Sequence, residues 1–186
     1  EKERDGLDAI VVNASGCGTT VKDYGHMFAD DPAWKDKAQR VSALARDVSE
    51  LMMEVGLANV TPRPLAVAYH SACSLQHGQK VMREPVDLLR KSGFVVKEIP
   101  EGHLCCGSAG TYNILQPALA NQLRARKIAN IEPLKPDVIA AGNIGCITQI
   151  AAGTTTPVVH TIELLDWASG GPVPEPLVAL AKAPAS

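Results

Sequence analysis

The sequence predicts an α/β fold in which a parallel sheet is flanked by helices. Short apolar runs rich in β-branched residues alternate with segments of helical periodicity, which is the pattern of parallel α/β proteins. The 186 residues, 46% of them hydrophobic and 20% charged, are enough for a sizeable core in one large or two small domains. The predicted strands are LDAIVV (7–12), PLAVAY (64–69), FVVKEI (94–99), DVIAA (137–141) and PVVH (157–160).

Helices are predicted between these strands. Apolar residues recur at helical spacing from Val41 to Val55, which predicts one amphipathic helix that Gly56 ends. Weaker helical patterns cover residues 83–92, 113–131 and 161–169. The tail GGPVPEPLVALAKAPAS is rich in proline and is predicted to be a surface arm.

Two segments of the chain echo each other. VNASGCGTTV (12–21) and AGNIGCITQI (141–150) share an apolar strand end, then Gly-Cys, then Thr and an apolar residue. Such self-similarity indicates a duplication in which the first copy is represented only by its end. The predicted organisation is the end of a first repeat (1–30), an amphipathic helix and linker (31–63), a second repeat (64–170) and a C-terminal arm (171–186). The sequence is therefore interpreted as a piece of a longer protein.

Composition excludes several classes of function. The formal net charge is −2, no Lys/Arg cluster occurs and only 4% of residues are aromatic, so nucleic acid is not expected as a partner. No apolar run is long enough to span a bilayer and no signal-peptide pattern is present, so a cytoplasmic location is expected. In that compartment an odd number of dispersed cysteines, five here, favours metal or redox chemistry over a disulfide framework.

Four cysteines follow predicted strands. Cys73 comes after strand 64–69, the pair Cys105 and Cys106 after strand 94–99, and Cys146 after strand 137–141. Because ligands of open parallel sheets gather beyond the carboxyl ends of the strands, we expect these thiols to converge. Cys146 would lie at a helix N-terminus, where the macrodipole favours the thiolate.

Four thiolates suit a [4Fe-4S] cluster or a structural zinc ion. The chain has no C-x-x-C pair, and intervals of 31 and 39 residues separate the cysteines, which favours a cluster over a zinc ribbon. The stretch EGHLCCGSAGTYN needs an irregular turn if adjacent cysteines are to face one target, and Gly102, Gly107 and Gly110 permit it.

Three histidines, His70, His77 and His103, flank the cysteines and are candidate hydrogen-bond donors to cluster sulfurs. The alternative is that each is a polar residue satisfied at a strand end. GSAG and GNIG lack the Lys-Ser/Thr ending of a phosphate loop, so nucleotide binding is rejected. No catalytic residue is assigned to the chain.

The cysteine segments carry a family resemblance. YHSACSLQHGQ, GHLCCGSAGTYN and GNIGCITQI resemble the CCG cysteine-rich domain of heterodisulfide reductase B subunits, succinate dehydrogenase relatives and iron-sulfur subunits of 2-hydroxy-acid oxidases. SLQHGQK, CCGSAGTYNILQP and HTIELLDWASGG are similar in particular to iron-sulfur subunits of glycolate oxidases. The family's final C-x-x-C cysteine is replaced here by Gln149, and by Thr20 in the first repeat. A role for Cys17 as a ligand would require the rest of that repeat.

The resemblance implies an electron-transfer subunit. It would carry a [4Fe-4S] cluster and pass electrons from the flavin of a partner flavoprotein, which alone holds FAD, toward a membrane acceptor at the cytoplasmic face of the inner membrane. Three alternatives remain open: a zinc-binding structural domain, a subunit of a lactate-utilisation or heterodisulfide-reductase-like complex, and thiol catalysis by Cys105 and Cys106. The surface that a complete first repeat would cover leads us to expect that the isolated chain dimerises.

Overall fold

The computed structural model describes residues 6–181 and has two parallel sheets. The smaller sheet pairs two strands, and the larger contains four in the order β4-β3-β5-β6. All five strands predicted from the sequence are present with slightly different ends, and one further strand, β2, was not predicted. The strands are β1 (Ile10–Val12), β2 (Ala45–Asp47), β3 (Ala66–His70), β4 (Val95–Glu98), β5 (Val138–Ala141) and β6 (Val158–His160).

Helices connect the strands, as parallel pairing requires. They are α1 (Ser15–Met27), α2 (Lys35–Leu44), α3 (Val48–Val55), α4 (Glu84–Lys91), α5 (Tyr112–Leu115), α6 (Pro117–Ile131), α7 (Ile144–Ala151), α8 (Thr161–Ala168) and α9 (Val178–Ala181). A π-helical segment covers Ser74–Gln79, and single 3₁₀ turns cover Glu132–Leu134 and Glu175–Leu177. The predicted α/β architecture is confirmed, and no helix within residues 6–181 is long and apolar enough to cross a bilayer.

The central strands of the larger sheet are covered on both faces. In β5 all four residues are buried, and Val67 and Ala68 of β3 are fully buried as well. One hydrophobic cluster includes Leu88, Leu164 and Trp167, and a second lies on the side of the cysteines. Continuous apolar strands of this kind are expected where helices cover both faces of a parallel sheet.

The prediction of one continuous helix from Val41 to Val55 is wrong. Strand β2 interrupts it, because residues 45–47 pair in parallel with β1, Ile10 opposite Ala45. Asp47 then begins α3 with a capping box: its carboxylate accepts from the Ser49 amide at 2.9 Å. The Asp-x-x-Glu pattern that forms this box was visible in the sequence. The end of α3 at Gly56, with φ of 81°, agrees with the prediction.

The C-terminal segment packs on the core through residues 173–177. Leu177 is fully buried in the hydrophobic cluster of the larger sheet, and Val173 packs against the same cluster. The expectation of a surface arm is therefore incorrect for residues 173–177, because these apolar side chains cover the core, whereas residues 178–181 are exposed. Residues 182–186 lie outside the described residues, as do residues 1–5.

The predicted domain boundaries remain a prediction. The smaller sheet lies before residue 64 and the larger sheet within 64–170. Helix α1 nevertheless contacts the larger sheet, because the Ser15 amide donates to the Gly142 carbonyl at 3.2 Å and its hydroxyl lies 2.8 Å from that of Ser74. The Thr19 hydroxyl also donates to the Ser74 carbonyl at 3.1 Å. These contacts hold the start of α1 beside the loops that carry the cysteines.

Candidate metal centre

One cavity, of about 480 Å³, lies outside the carboxyl ends of β3 and β5. Strand β3 pairs with β4 on one side and β5 on the other, so the chain connections diverge at this point of the sheet. Ligand sites of open α/β sheets form at such a switch point. All five cysteines line this cavity, namely Cys17, Cys73, Cys105, Cys106 and Cys146.

Local backbone geometry directs two of the loops toward the cavity. Cys73 lies directly before the π-helical segment, a rare conformation that often occurs at functional sites. After the cysteine pair, Gly107 adopts φ of 97°, and its amide donates to Cys105 Sγ at 3.3 Å. A Cβ at Gly107 would lie 2.3 Å from the Ala120 carbonyl oxygen of α6. Only glycine therefore fits at the residue that follows the cysteine pair.

Helix α7 brings the fourth cysteine into the cavity. Cys146 is the third residue of α7, and the preceding Asn143 caps the helix by accepting from the Gly145 amide at 3.2 Å. Cys146 is buried, and its position in the first turn exposes it to the positive end of the helix dipole. Asn143 was not among the residues predicted from the sequence, although an asparagine directly before a helix is a common N-cap signal.

The four thiols influence the pKa values of their neighbours in a row, Cys73 with Cys105, Cys105 with Cys106 and Cys106 with Cys146. The neighbouring thiols of Cys106 and Cys73 hold the pKa of Cys105 far below its ordinary value. The Cys106 thiol lowers the pKa of Cys146 to about 5, and burial opposes this shift. The proximity of Cys105 raises the pKa of both Cys73 and Cys106. The pKa values of Cys105 and Cys146 are thus lowered and those of Cys73 and Cys106 raised, and a metal bound by all four sulfurs would displace the protons of the latter two.

His70 lies beside the sulfurs at the end of β3. It is 2% exposed, and its Nε2 atom has no hydrogen-bond partner among the described residues. One ligand atom of His70 and the sulfurs of Cys106 and Cys146 all lie within 4.8 Å of one another. The nearby His70 side chain also contributes to the lowered pKa of Cys146. The proposed donor role of His70 is therefore sterically feasible.

The other two candidate histidines lie elsewhere. His77 and His103 are exposed, and neither is among the residues that line the cavity. The His77 Nε2 atom is 3.3 Å from the backbone carbonyl oxygen of His103. Their role as donors to a cluster remains a prediction.

Cys17 reaches the cavity from the smaller sheet. It is exposed and is the third residue of α1, the same position that Cys146 holds in α7. The two echoing segments of the sequence therefore begin helices that meet at one cavity. The expectation that Cys17 becomes a ligand only with a complete first repeat stays a prediction.

The residues in place of the missing C-x-x-C cysteines differ in their surroundings. Gln149 is buried. Its side-chain amide oxygen accepts from Asn113 at 3.4 Å, and its amide nitrogen donates to the Ala120 carbonyl at 3.4 Å. It thereby joins α7 to α6 instead of facing the cavity. Thr20 lines the cavity, and its hydroxyl donates to the Gly16 carbonyl at 3.3 Å.

The donor set fits a metal that prefers sulfur. Four cysteine sulfurs converge on one cavity, two of them with a lowered pKa, and the Gly107 amide already donates to one of these sulfurs. Iron-sulfur clusters and structural zinc are the groups that four thiolates hold.

Comparison with known families agrees with this geometry. Residues 67–151 match the family model described as CCG, cysteine-rich domain. This segment is a CCG cysteine-rich domain. The CCG domain contains Cys73, Cys105, Cys106 and Cys146, so the family resemblance predicted from these residues is confirmed.

Relatives extend the similarity beyond the CCG domain. The chain is 44% identical over 164 residues to the glycolate oxidase iron-sulfur subunit of Escherichia coli K12, a match that covers 88% of this chain and 40% of that protein. It is 31% identical over 177 residues to the probable glycolate oxidase iron-sulfur subunit of Bacillus subtilis 168, covering 88% and 39%. Lactate utilization protein A of Geobacillus thermodenitrificans NG80-2 is 27% identical over 167 residues, covering 86% and 70%. The chain thus spans about two fifths of the length of the first two relatives.

Proposed function

We propose that the CCG domain binds a [4Fe-4S] cluster and that the chain is part of the electron-transfer subunit of a glycolate oxidase-type complex. The ligands would be Cys73, Cys105, Cys106 and Cys146. The observation that carries the proposal is the convergence of these four thiols on one cavity, in a chain 44% identical to a glycolate oxidase iron-sulfur subunit over 164 residues.

The residues around the cavity have distinct tasks in this proposal. A bound cluster would accept and release single electrons. The four cysteines would hold it as thiolates, the Gly107 amide donates to the sulfur of Cys105, and the unpartnered Nε2 atom of His70 is placed to donate to the site. Such hydrogen bonds and the burial of the site set the reduction potential. The chain itself would not break substrate bonds.

The proposal includes partners outside the chain. Electrons would arrive from the FAD of a flavoprotein subunit that oxidises a 2-hydroxy acid, and would leave toward an acceptor at the cytoplasmic face of the inner membrane. The names of the E. coli and B. subtilis relatives support an oxidase with glycolate as its substrate. The partner, the substrate and the direction of electron flow are parts of the proposal.

Lactate is the second candidate substrate of the complex. It is favoured by the match to lactate utilization protein A, of which the chain covers 70%. Adding either acid anaerobically to the chain purified together with its native flavoprotein discriminates the two. Loss of the cluster's visible absorbance with glycolate alone supports the first candidate, and loss with lactate alone supports the second.

Metal and acid-labile sulfide content of the anaerobically purified chain tests the site. We expect about four irons and four sulfides per chain. Cys105→Ser should lose most of both, because it removes the thiolate at the centre of the row of four cysteines. Cys17→Ser is the matched control, an exposed cysteine on the same cavity, and should keep them.

One zinc ion without sulfide in the wild-type chain would contradict the cluster and favour a zinc-binding structural domain. Equal loss of iron in Cys17→Ser would instead add Cys17 to the ligands of this site.

A further inference from the structure

A lysine is buried behind the cysteine pair. Lys127 lies in α6, is 1% exposed and is among the largest fully buried side chains of the described residues. Its Nζ atom donates to the backbone carbonyl of Glu101 at 3.0 Å, which is its one hydrogen bond among residues 6–181. A charged ammonium group is costly to bury unless an opposite charge lies near it. One neutral carbonyl does not supply that charge.

Helix α6 presents Lys127 to the loop that carries the cysteines. The Ala120 carbonyl of the same helix lies against Gly107, directly after the pair. Residues seven apart lie on one face of a helix, so Ala120 and Lys127 face the same side. Glu101, which accepts from Lys127, starts the segment that leads to Cys105. The ammonium group therefore lies on the inner side of this loop.

The negative charge near Lys127 comes from the cysteines and Glu101. Burial lowers the pKa of Lys127, whereas Cys106, Glu101, Cys105 and Cys146 oppose this shift by electrostatic attraction. The Glu101 carboxylate is already bound on the exposed side by Arg126 and Asn130. The cysteine site is thus the anionic group that faces Lys127 on the inner side of the loop.

We propose that Lys127 is a built-in counter-charge of the cysteine site, which stabilises the thiolate-bound cluster and raises its reduction potential. This inference rests on the proposed cluster. Each electron that the cluster accepts adds a negative charge to the site, so a fixed positive charge nearby favours the reduced state more than the oxidised state. Lys127 acts through the site and touches no substrate.

The test compares three variants of the full chain. Lys127→Met removes the charge and keeps a long side chain, and Lys127→Arg keeps the charge. Lys97→Met is the matched control, because Lys97 is half-buried and also donates to a backbone carbonyl, that of Leu134 at 2.5 Å. Iron and sulfide content is measured first, followed by the midpoint potential in a redox titration monitored by electron paramagnetic resonance.

We expect Lys127→Met to shift the midpoint potential to a more negative value, while Lys127→Arg and Lys97→Met stay close to wild type. An unchanged potential in Lys127→Met would overturn the inference. A Lys127→Met variant that lacks iron and unfolds at a temperature well below that of wild type would also overturn the inference. That result identifies a structural hydrogen bond as the main role of Lys127. Wild-type protein without iron and sulfide would contradict the proposed function itself, which the first measurement decides separately.

Discussion

Glu101 uses its side chain and its backbone for different neighbours. Its carboxylate accepts from Arg126 Nε and Asn130 Nδ2, both at 2.9 Å, while its carbonyl accepts from buried Lys127. The residue also has φ of 53°, in the left-handed region that non-glycine residues rarely occupy. Glu101 thereby fixes the start of the cysteine loop, the segment 101–110 that carries Cys105 and Cys106, to α6 on both the exposed and the buried side.

The Glu101 ion pair predicts a pH dependence of stability. The hydrogen bond from Arg126 and that from Asn130 lower the pKa of Glu101 from 4.5 to about 2. Because the folded state has the lower pKa, the stabilisation is fully present above pH 4.5 and is lost as pH falls toward 2. Urea unfolding of wild type and Glu101→Gln should differ at pH 6 and converge near pH 2.

The control for this prediction is Arg126→Met, in which replacing Glu101 should have a smaller effect at pH 6, because only the hydrogen bond from Asn130 to the carboxylate then remains. A difference between wild type and Glu101→Gln that persists unchanged down to pH 2 would contradict the assignment. The effect is expected to be small, because exposed ion pairs are weakened by solvent and salt.

At the scale of elements, the contact between α6 and the cysteine loop is the one that the sequence could not predict. Strands and cysteines are visible as local patterns, so their convergence at the sheet edge followed from topology. Lys127 lies in a helix of mixed polarity, where a lysine is usually a solvated residue. Its burial depends on which face of α6 meets the loop, and that is decided by packing over a distance in sequence.

Gly107 and Gly110, the glycines that follow the cysteine pair, give a matched test of this contact. In Gly107→Ala the new methyl group would lie 2.3 Å from the Ala120 carbonyl, so α6 and the loop must separate. Gly110 also has a positive φ, 63°, yet no atom lies within 4 Å of its Cβ position. Gly110→Ala should cost about 1–2 kcal/mol of backbone strain, and Gly107→Ala clearly more.

Denaturant unfolding of the iron-free protein measures both variants, and iron content reports the site. Gly107→Ala should lose iron, whereas Gly110→Ala should retain most of it. Equal stability of the two variants would show that α6 yields to the methyl group without cost.

Strand β2 of the smaller sheet is an element for which the local sequence pattern gave the wrong prediction. Val41 to Val55 has helical periodicity throughout, but the residues of β2 pair with β1 because the two-stranded sheet needs a partner strand. The capping box at Asp47 marks the new helix start and is a local signal. Strand β2 has no such local signal, because its residues Ala, Arg and Asp have no strong preference for β structure.

For the whole molecule, we expect the isolated chain to associate through the smaller sheet. An open groove of about 410 Å³ there is lined largely by apolar residues, including Leu7, Ile10 and Leu44. Leu7 is 44% exposed, which is unfavourable for a large apolar side chain within such a groove. Sedimentation velocity should show a dimer that Leu7→Lys converts to monomer.

Leu115→Lys serves as the control, because Leu115 is 70% exposed in α5 and lies outside this groove. It should leave the dimer intact. A wild-type chain that sediments as a monomer at all concentrations would contradict the expectation.

The cysteine cavity lies beyond the ends of the strands and outside the paired centre of the larger sheet. The cavity is formed by loops and helix starts, whereas the central strands β3 and β5 are held by backbone pairing and by buried residues such as Val67 and Ile139. Damage by oxygen should therefore remove the metal without unfolding the sheet, and the far-ultraviolet circular dichroism of the iron-free chain should stay close to that of the loaded chain. A random-coil spectrum after iron removal would contradict this. If the proposed cluster is bound, a chain that stays folded after its loss is expected to regain iron and sulfide on reconstitution.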